Sequence, residues 1–310
     1  MKVGFNLDRS GLDCAKIIEL SQLAESLGYD SVSLYDHLYS MRDPNEVCLE
    51  AWALLPHIAA KTSRVRILTL VSNNLLRHPG VLTKMASSVD ILSGGRLIFG
   101  IGAGWYRKEA VDFGINFPDT KTRLGMLDES VQVILKLWTE DSANFEGKYY
   151  RLKNAESLPK PLQKPHPPVL VGGKGENVLL KIVAKYADMS NFFMSDCLTP
   201  EKCDRLLQAL QKHCDQVGRD YGSIKKSIAG LCVISRESSL DEYARKEGMS
   251  LQDYKKYLES MAIWGTADEV AMKLKEYEKK GIDYAFLRFP RDSQDKMAKL
   301  FAEEVVPSIS

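Results

Sequence analysis

The 310-residue sequence has no surplus of charge of either sign. Lysine plus arginine number 42 and aspartate plus glutamate 41, a net charge of +1. Without a basic excess there is no electrostatic footprint for nucleic acid. No apolar run approaches the roughly 20 residues that a membrane-spanning helix needs. The opening residues, Met1-Lys2-Val3-Gly4-Phe5-Asn6-Leu7-Asp8-Arg9, turn polar at once, unlike a secretory signal. The cysteines are Cys14, Cys48, Cys197, Cys203, Cys214 and Cys232, and none forms a C-x-x-C pair. These absences lead to the expectation of a cytoplasmic protein with free thiols that engages neither nucleic acid nor membrane.

Several chemical motifs are missing as well. There is no H-E-x-x-H among the five histidines, and no other metal-ligand spacing, so no metal is expected. No G-x-S-x-G elbow supplies a serine nucleophile. Cys48 is near Asp36 and His37 in sequence, but nothing further supports it as a nucleophile.

What the sequence does contain is alternation. It is 45% hydrophobic and 27% charged, too apolar for disorder and long enough for a large core. Short apolar strands are expected at 2–6, 31–35, 64–71, 96–101, 168–171, 188–193, 227–235 and 284–288. Amphipathic helices fall between them, at 13–27, 50–61, 79–91, 123–138, 177–186, from Thr199-Pro200, 266–280 and 294–305. Thr266-Ala267-Asp268-Glu269 reads as a capping box, and Pro79 as a first-turn proline. Eight strands each followed by a helix make an α/β fold, a (β/α)8 TIM barrel, whose usual length is about 250 residues. The surplus falls at about 140–167 and 239–261, read as insertions in one domain spanning 1–310. The rival architecture, a doubly wound sheet with an appended domain, would want a linker, and none is visible.

In such a barrel, chemistry sits where strands end and helices begin. The second strand exits into Asp36-His37, a carboxylate beside an imidazole that could handle protons or cap loop backbone. The third strand ends at Leu70-Val71 and turns polar at Ser72-Asn73-Asn74. Arg77 and His78 follow, read chiefly as helix-start residues. The fourth strand enters Gly100-Ile101-Gly102-Ala103-Gly104-Trp105, with Glu109 beyond. This spacing is not a dinucleotide fingerprint. Its alternate glycines would let something flat approach the backbone, with Trp105 as a wall. The fifth strand ends in Gly172-Gly173-Lys174-Gly175 before a helix, a backbone cradle suited to phosphate though not a P-loop. Asp90 and Arg96 precede a strand and are read as structural. A barrel mouth built this way suits a flat, phosphate-bearing cofactor acting on a small molecule.

The chain resembles the luciferase-like monooxygenase superfamily of flavin and deazaflavin barrels. The resemblance is carried by Gly28-Tyr29-Asp30-Ser31-Val32 leading to Asp36-His37, and by Glu50-Ala51-Trp52 and Arg77-His78-Pro79. It continues through Asp90 to Arg96, Gly100 to Trp105, Pro165 to Gly173 and Trp264 to Val270. Asp-His after the second strand resembles the branch that uses coenzyme F420, whereas FMN-type luciferases more often carry glutamate there. The resemblance implies an F420-dependent oxidoreductase that moves a hydride, with His37 as acid or base and Asp36 as its orienter or a cofactor contact. It implies a cofactor site at Asp36, Leu70, Val71, Ser72, Gly102, Gly104, Trp105, Gly172 and Gly173. It also implies a non-prolyl cis peptide at Leu70–Val71, and a homodimer. One position departs. The glucose-6-phosphate dehydrogenases of this branch carry a catalytic glutamate directly after the glycine strand, and here that place is Trp105. Whether Glu109 turns inward is open at this stage. Three other readings stand beside this one: an FMN-dependent monooxygenase, a non-catalytic flavin-binding protein, and a sugar-phosphate barrel enzyme without a redox cofactor.

Overall fold

A computed structural model describes residues 1–235 and 240–309. In chain order the strands are β1 (Lys2–Asn6), β2 (Ser31–Leu34), β3 (Arg66–Thr69), β4 (Ser72–Asn73), β5 (Phe99–Gly102), β6 (Ala143–Glu146), β7 (Arg151–Ala155), β8 (Val169–Gly172), β9 (Met189–Phe193), β10 (Lys225–Ile234), β11 (Ala262–Gly265) and β12 (Tyr284–Arg288). The helices are α1 (Cys14–Ser26), α2 (Ala51–Lys61), α3 (Pro79–Leu92), α4 (Arg107–Asp112), α5 (Thr120–Thr139), α6 (Leu179–Tyr186), α7 (Pro200–Val217), α8 (Leu240–Lys246), α9 (Leu251–Met261), α10 (Ala267–Lys279), α11 (Gln294–Leu300) and α12 (Val306–Ile309). All eight expected strands are present.

The main sheet runs β3-β2-β1-β12-β10-β9-β8-β5-β4, and every pairing in it is parallel. Its ends meet where Ile67 bridges Leu97 in parallel. The sheet is therefore nearly closed into a barrel with helices around it, as the strand–helix count predicts. Strand alternation sorts the side chains into two layers. Phe5, Val32, Ile67, Phe99 and Phe192 join the outer core against the helices. Leu68, Ile98, Leu170, Met189, Tyr284 and Phe286 fill the inside near the strand starts. Toward the strand ends the buried residues turn polar, with Asn6, Ser33 and Asn191. A plug at one end and polar groups at the other set where chemistry can occur.

Local signals act as read. Asp13 caps α1 through the Lys16 N–H, and Thr266 with Glu269 completes the capping box of α10. Asp90 and Arg96 are structural. Arg96 donates to the carbonyls of Ala59, Thr62, Val65 and Ser93. Asp90 accepts from Gln163 at 2.7 and 3.0 Å and so ties the first insertion to the barrel.

The insertions differ from the simple reading. Within 140–167 lies an antiparallel hairpin, β6–β7. The helix expected over 239–261 is two helices, α8 and α9, broken where Gly248 takes a φ of +67°. Ser239, its expected start, lies outside the described residues. Beyond it β11, which periodicity did not reveal, adds to β10 in parallel. The last helix holds a π-turn at Phe301–Val305 before α12.

Candidate active site

His37 follows β2 at the strand-end face of the barrel. Its side chain is 12% exposed, and two aromatic rings meet it edge-on. Trp105 lies 6.0 Å away at 87° and Tyr106 lies 6.0 Å away at 84°. Trp105 is 58% exposed and stands at the rim as a rigid wall. On the remaining side is Glu109, whose two carboxylate oxygens both lie 3.2 Å from His37 Nδ1. Glu109 is fully buried and also accepts the Leu38 N–H at 2.6 Å. It therefore turns inward, carried by α4, a six-residue helix too short to show periodicity.

The expectation that Asp36 orients His37 is corrected here. Asp36 is 2% exposed. Its oxygens are taken by Arg77 at 2.7 and 3.0 Å and by the Asn73 N–H at 2.9 Å. Neighbours leaving a strand point to opposite sides, so adjacency in sequence put the wrong carboxylate beside the imidazole. Arg77 also bonds Glu50. Burial works against the guanidinium charge, but the Asp36 and Glu50 carboxylates outweigh it and raise the Arg77 pKa above its ordinary value. Burial is also the largest influence on Asp36, pushing its carboxyl up against the pull of Arg77. Asp36 thus braces the loops after β2 and β3, and its bonds go to Arg77 and Asn73 instead of His37. Arg9, missed in the sequence, performs a similar task, donating to the carbonyls of Tyr35, His37 and Leu49. His78 serves as a helix cap, accepting the Gly80 N–H at 3.1 Å.

The peptide bond between Leu70 and Val71 is cis, at the position the resemblance implies. Glycines surround Val71. A Cβ on Gly102 would stand 2.8 Å from a Val71 methyl, and one on Gly172 3.1 Å. The room that alternate glycines make is thus filled first by the chain's own Val71. A Cβ on Gly100 would meet the Thr69 carbonyl oxygen at 2.1 Å. Gly100→Ala is accordingly expected to destabilise the fold by about 1–3 kcal/mol or more, since backbone cannot step aside as a side chain can. Urea denaturation with an unchanged midpoint would contradict this packing. Gly104 takes a φ of +78°, and a Cβ there would reach Asn73 Oδ1 at 2.3 Å.

Ser72 and Leu70 turn out to be interior. The Ser72 hydroxyl lies 2.6 Å from Thr69 Oγ1 and accepts the Trp52 indole N–H at 3.2 Å. Leu70 packs in the inner plug. At Gly172–Gly173, the Gly173 N–H is already given to the Asn191 carbonyl at 2.9 Å. Any anion held by this turn would use the amides after it.

Two buried amides bear on ligand fit. Asn6 Nδ2 and both polar atoms of the Asn74 side chain have no hydrogen-bond partner. Buried polar atoms left unpaired cost about 1–3 kcal/mol each. Asn6 ends β1, and the Asn74 N–H donates to the Gly102 carbonyl. Arg288, at the end of β12, which pairs with β1, contacts Asp8 at 3.4 Å. No group of three or more metal-ligating side chains occurs among the described residues.

Comparison with known proteins gives a consistent picture. Residues 3–284 match the sequence model of a family described as luciferase-like monooxygenase. An F420-dependent glucose-6-phosphate dehydrogenase of Amycolatopsis mediterranei is 26% identical over all of this chain and 98% of its own length. Among solved structures, an F420-dependent secondary alcohol dehydrogenase, in complex with an F420–acetone adduct, superposes with a TM-score of 0.81. It is 20% identical, over all of this chain and 99% of the other. The monooxygenase RslO1 of Streptomyces bottropensis superposes with a TM-score of 0.82 at 22% identity, each chain fully covered.

Proposed function

The chain belongs to the luciferase-like monooxygenase family, and on that premise we propose that it is an F420-dependent oxidoreductase. In this reading it moves a hydride between the deazaflavin and a small organic substrate. The observation that carries it is the mouth histidine, His37, with the rings of Trp105 and Tyr106 edge-on to it and the buried Glu109 carboxylate at its Nδ1. The full-length similarity to an F420-dependent dehydrogenase supports the cofactor.

The residues present fit such a group. The glycine-lined Val71 and the exposed Trp105 present apolar surface to a flat ring, while the unpaired Asn74 carboxamide offers one donor and one acceptor to a polar ring edge. Val71, Gly102, Gly104 and Trp105 would hold the ring, with Leu70 and Ser72 supporting Val71 from inside. The turn after Gly172–Gly173 would hold the phosphate through backbone amides, because the chain has no net positive field to do so. When bound, the deazaflavin supplies the hydride acceptor or donor carbon.

The chain's own contribution is positioning and proton handling. Holding the two reacting carbons at contact distance removes most of the entropic barrier. A carbinol that loses a hydride must also lose its hydroxyl proton, and His37 is the base for it; in reverse it is the acid. Trp105 stands where the related sugar-phosphate dehydrogenases carry a glutamate, so glucose 6-phosphate is not adopted as substrate. The same reading takes the protein as a cytoplasmic homodimer, on the family resemblance. No helix among the described residues is long and apolar enough to cross a membrane.

A thermal-shift comparison of F420, FMN and NADP tests the cofactor. A ligand at 100 times its Kd adds about 2.7 kcal/mol to stability. F420 is expected to raise the midpoint in a concentration-dependent way, and FMN and NADP to leave it in place. A shift with FMN and none with F420 would overturn the assignment and favour a flavin monooxygenase.

A further inference from the structure

We propose that Glu109 is the positioning residue for His37: its carboxylate holds the proton on Nδ1 and so presents Nε2 to the barrel mouth for proton exchange with substrate. The role rests on the reading of His37 as the acid–base group.

Glu109 has no access to solvent, so its oxygens depend on donors within the protein. Two groups face it, the Leu38 N–H at 2.6 Å and His37 Nδ1 at 3.2 Å from both oxygens. If Nδ1 were bare, two acceptors would face each other in a buried space and the carboxylate would lack its second donor. A proton on Nδ1 satisfies both sides. Turning the ring over would set a carbon against the carboxylate and forfeit that bond. The adjacent rings of Trp105 and Tyr106, 5.3 Å apart, limit the imidazole on one side. Arg9 fixes the backbone by donating to the His37 carbonyl at 2.8 Å. Nε2 is left without a bond to any described residue, yet it is not among the buried unpaired atoms. It therefore opens on the mouth. Asp36 cannot take this part, because Arg77 and the Asn73 N–H occupy its oxygens.

Trp105 occupies the place just after the glycine strand, and Glu109 reaches the imidazole from four residues farther on, in the first turn of α4. The carboxylate that acts on the proton chemistry does so through His37 rather than by touching substrate.

The test begins on the cofactor-free protein labelled with 15N-histidine, with the His37→Gln variant used to assign the ring. Two-bond proton–nitrogen spectra are expected to show a proton on His37 Nδ1, with Nε2 the bare nitrogen of the neutral ring. A neutral His37 that carries its proton on Nε2 would overturn the proposal, whatever the activity. Glu109→Gln is then expected to shift the ring toward the Nε2–H form and to lower kcat by about 10²–10⁴-fold, the upper end being the scale of a misplaced tautomer. F420 affinity, read from its fluorescence, should stay near the native value, and Glu109→Asp should restore part of the turnover. A Gln variant with native Nδ1 signal and native kcat would also overturn it. Should that variant fail to fold, the native spectrum still decides. Failure of F420 to bind a protein whose Nδ1 is protonated would sink the cofactor reading while leaving the pairing intact.

Discussion

His37→Ala is expected to lower kcat by about 10²–10⁴-fold, the range for loss of a positioned acid–base group. At 1.36 kcal/mol per tenfold, that is about 3–5 kcal/mol of lost transition-state stabilisation. The folded state should survive the change at some cost, because the buried Glu109 keeps the Leu38 N–H but loses its second donor. His37 is bonded through Nδ1 to Glu109 and otherwise meets Trp105, Tyr106 and Tyr35 only through ring contacts. F420 affinity should change little, since binding rests on Val71, Trp105 and backbone amides in this reading. Steady-state kinetics and fluorescence titration together separate the two effects. Turnover unchanged in the alanine variant would remove His37 from the mechanism. A loss confined to KM would instead make it a binding residue.

The largest expected effect on stability is at Arg77. Among the described residues its guanidinium is the one side chain that compensates the buried Asp36 carboxyl, and it bonds Glu50 as well. Arg77→Ala leaves Asp36 buried without that partner, and breaking such a pair costs about 3–5 kcal/mol. The double variant Asp36→Leu with Arg77→Met removes both charges. It is expected to lose less than Arg77→Ala alone, because no charge is stranded. Denaturant unfolding of the two variants and the native protein checks the order. A loss below about 1 kcal/mol in Arg77→Ala would mean that the pair behaves like an exposed one. The double variant also loses the bond from Asp36 to the Asn73 N–H, which links the loops after β2 and β3. It should therefore bind F420 more weakly even where its stability recovers.

Much of the architecture is legible from short-range pattern. Each barrel strand is a short apolar run bounded by polar turns, and each long helix shows a helical apolar stripe with a cap. Where the elements are too short for a period to build up, the pattern is silent. The hairpin β6–β7, the strand β11 and the helix α4 run four to six residues each. Gly248 shows as a single glycine in a charged stretch, and only its positive φ marks it as a break.

The site divides in the same way. Asp36, His37, Trp105 and Gly172 are found from their place at a strand exit, because barrel connectivity sends every strand end to one face, whereas Val71 comes from the family resemblance alone. Their partners are not. Glu109 is 72 residues from His37 and Arg77 is 41 from Asp36 in the chain. Both distances close only when the folded barrel gathers its strand-end loops on one face.

By itself, then, the sequence determined the barrel, the face that carries chemistry and the balanced charge that leaves a cofactor phosphate to backbone amides. Those follow from periodicity and composition, which act over a few residues at a time. Only the tertiary structure decided which carboxylate serves the histidine, that Asp36 is a brace, and that the alternate glycines first make room for Val71. Each of these is set by which side a residue faces and what a distant loop places against it, and packing alone resolves that.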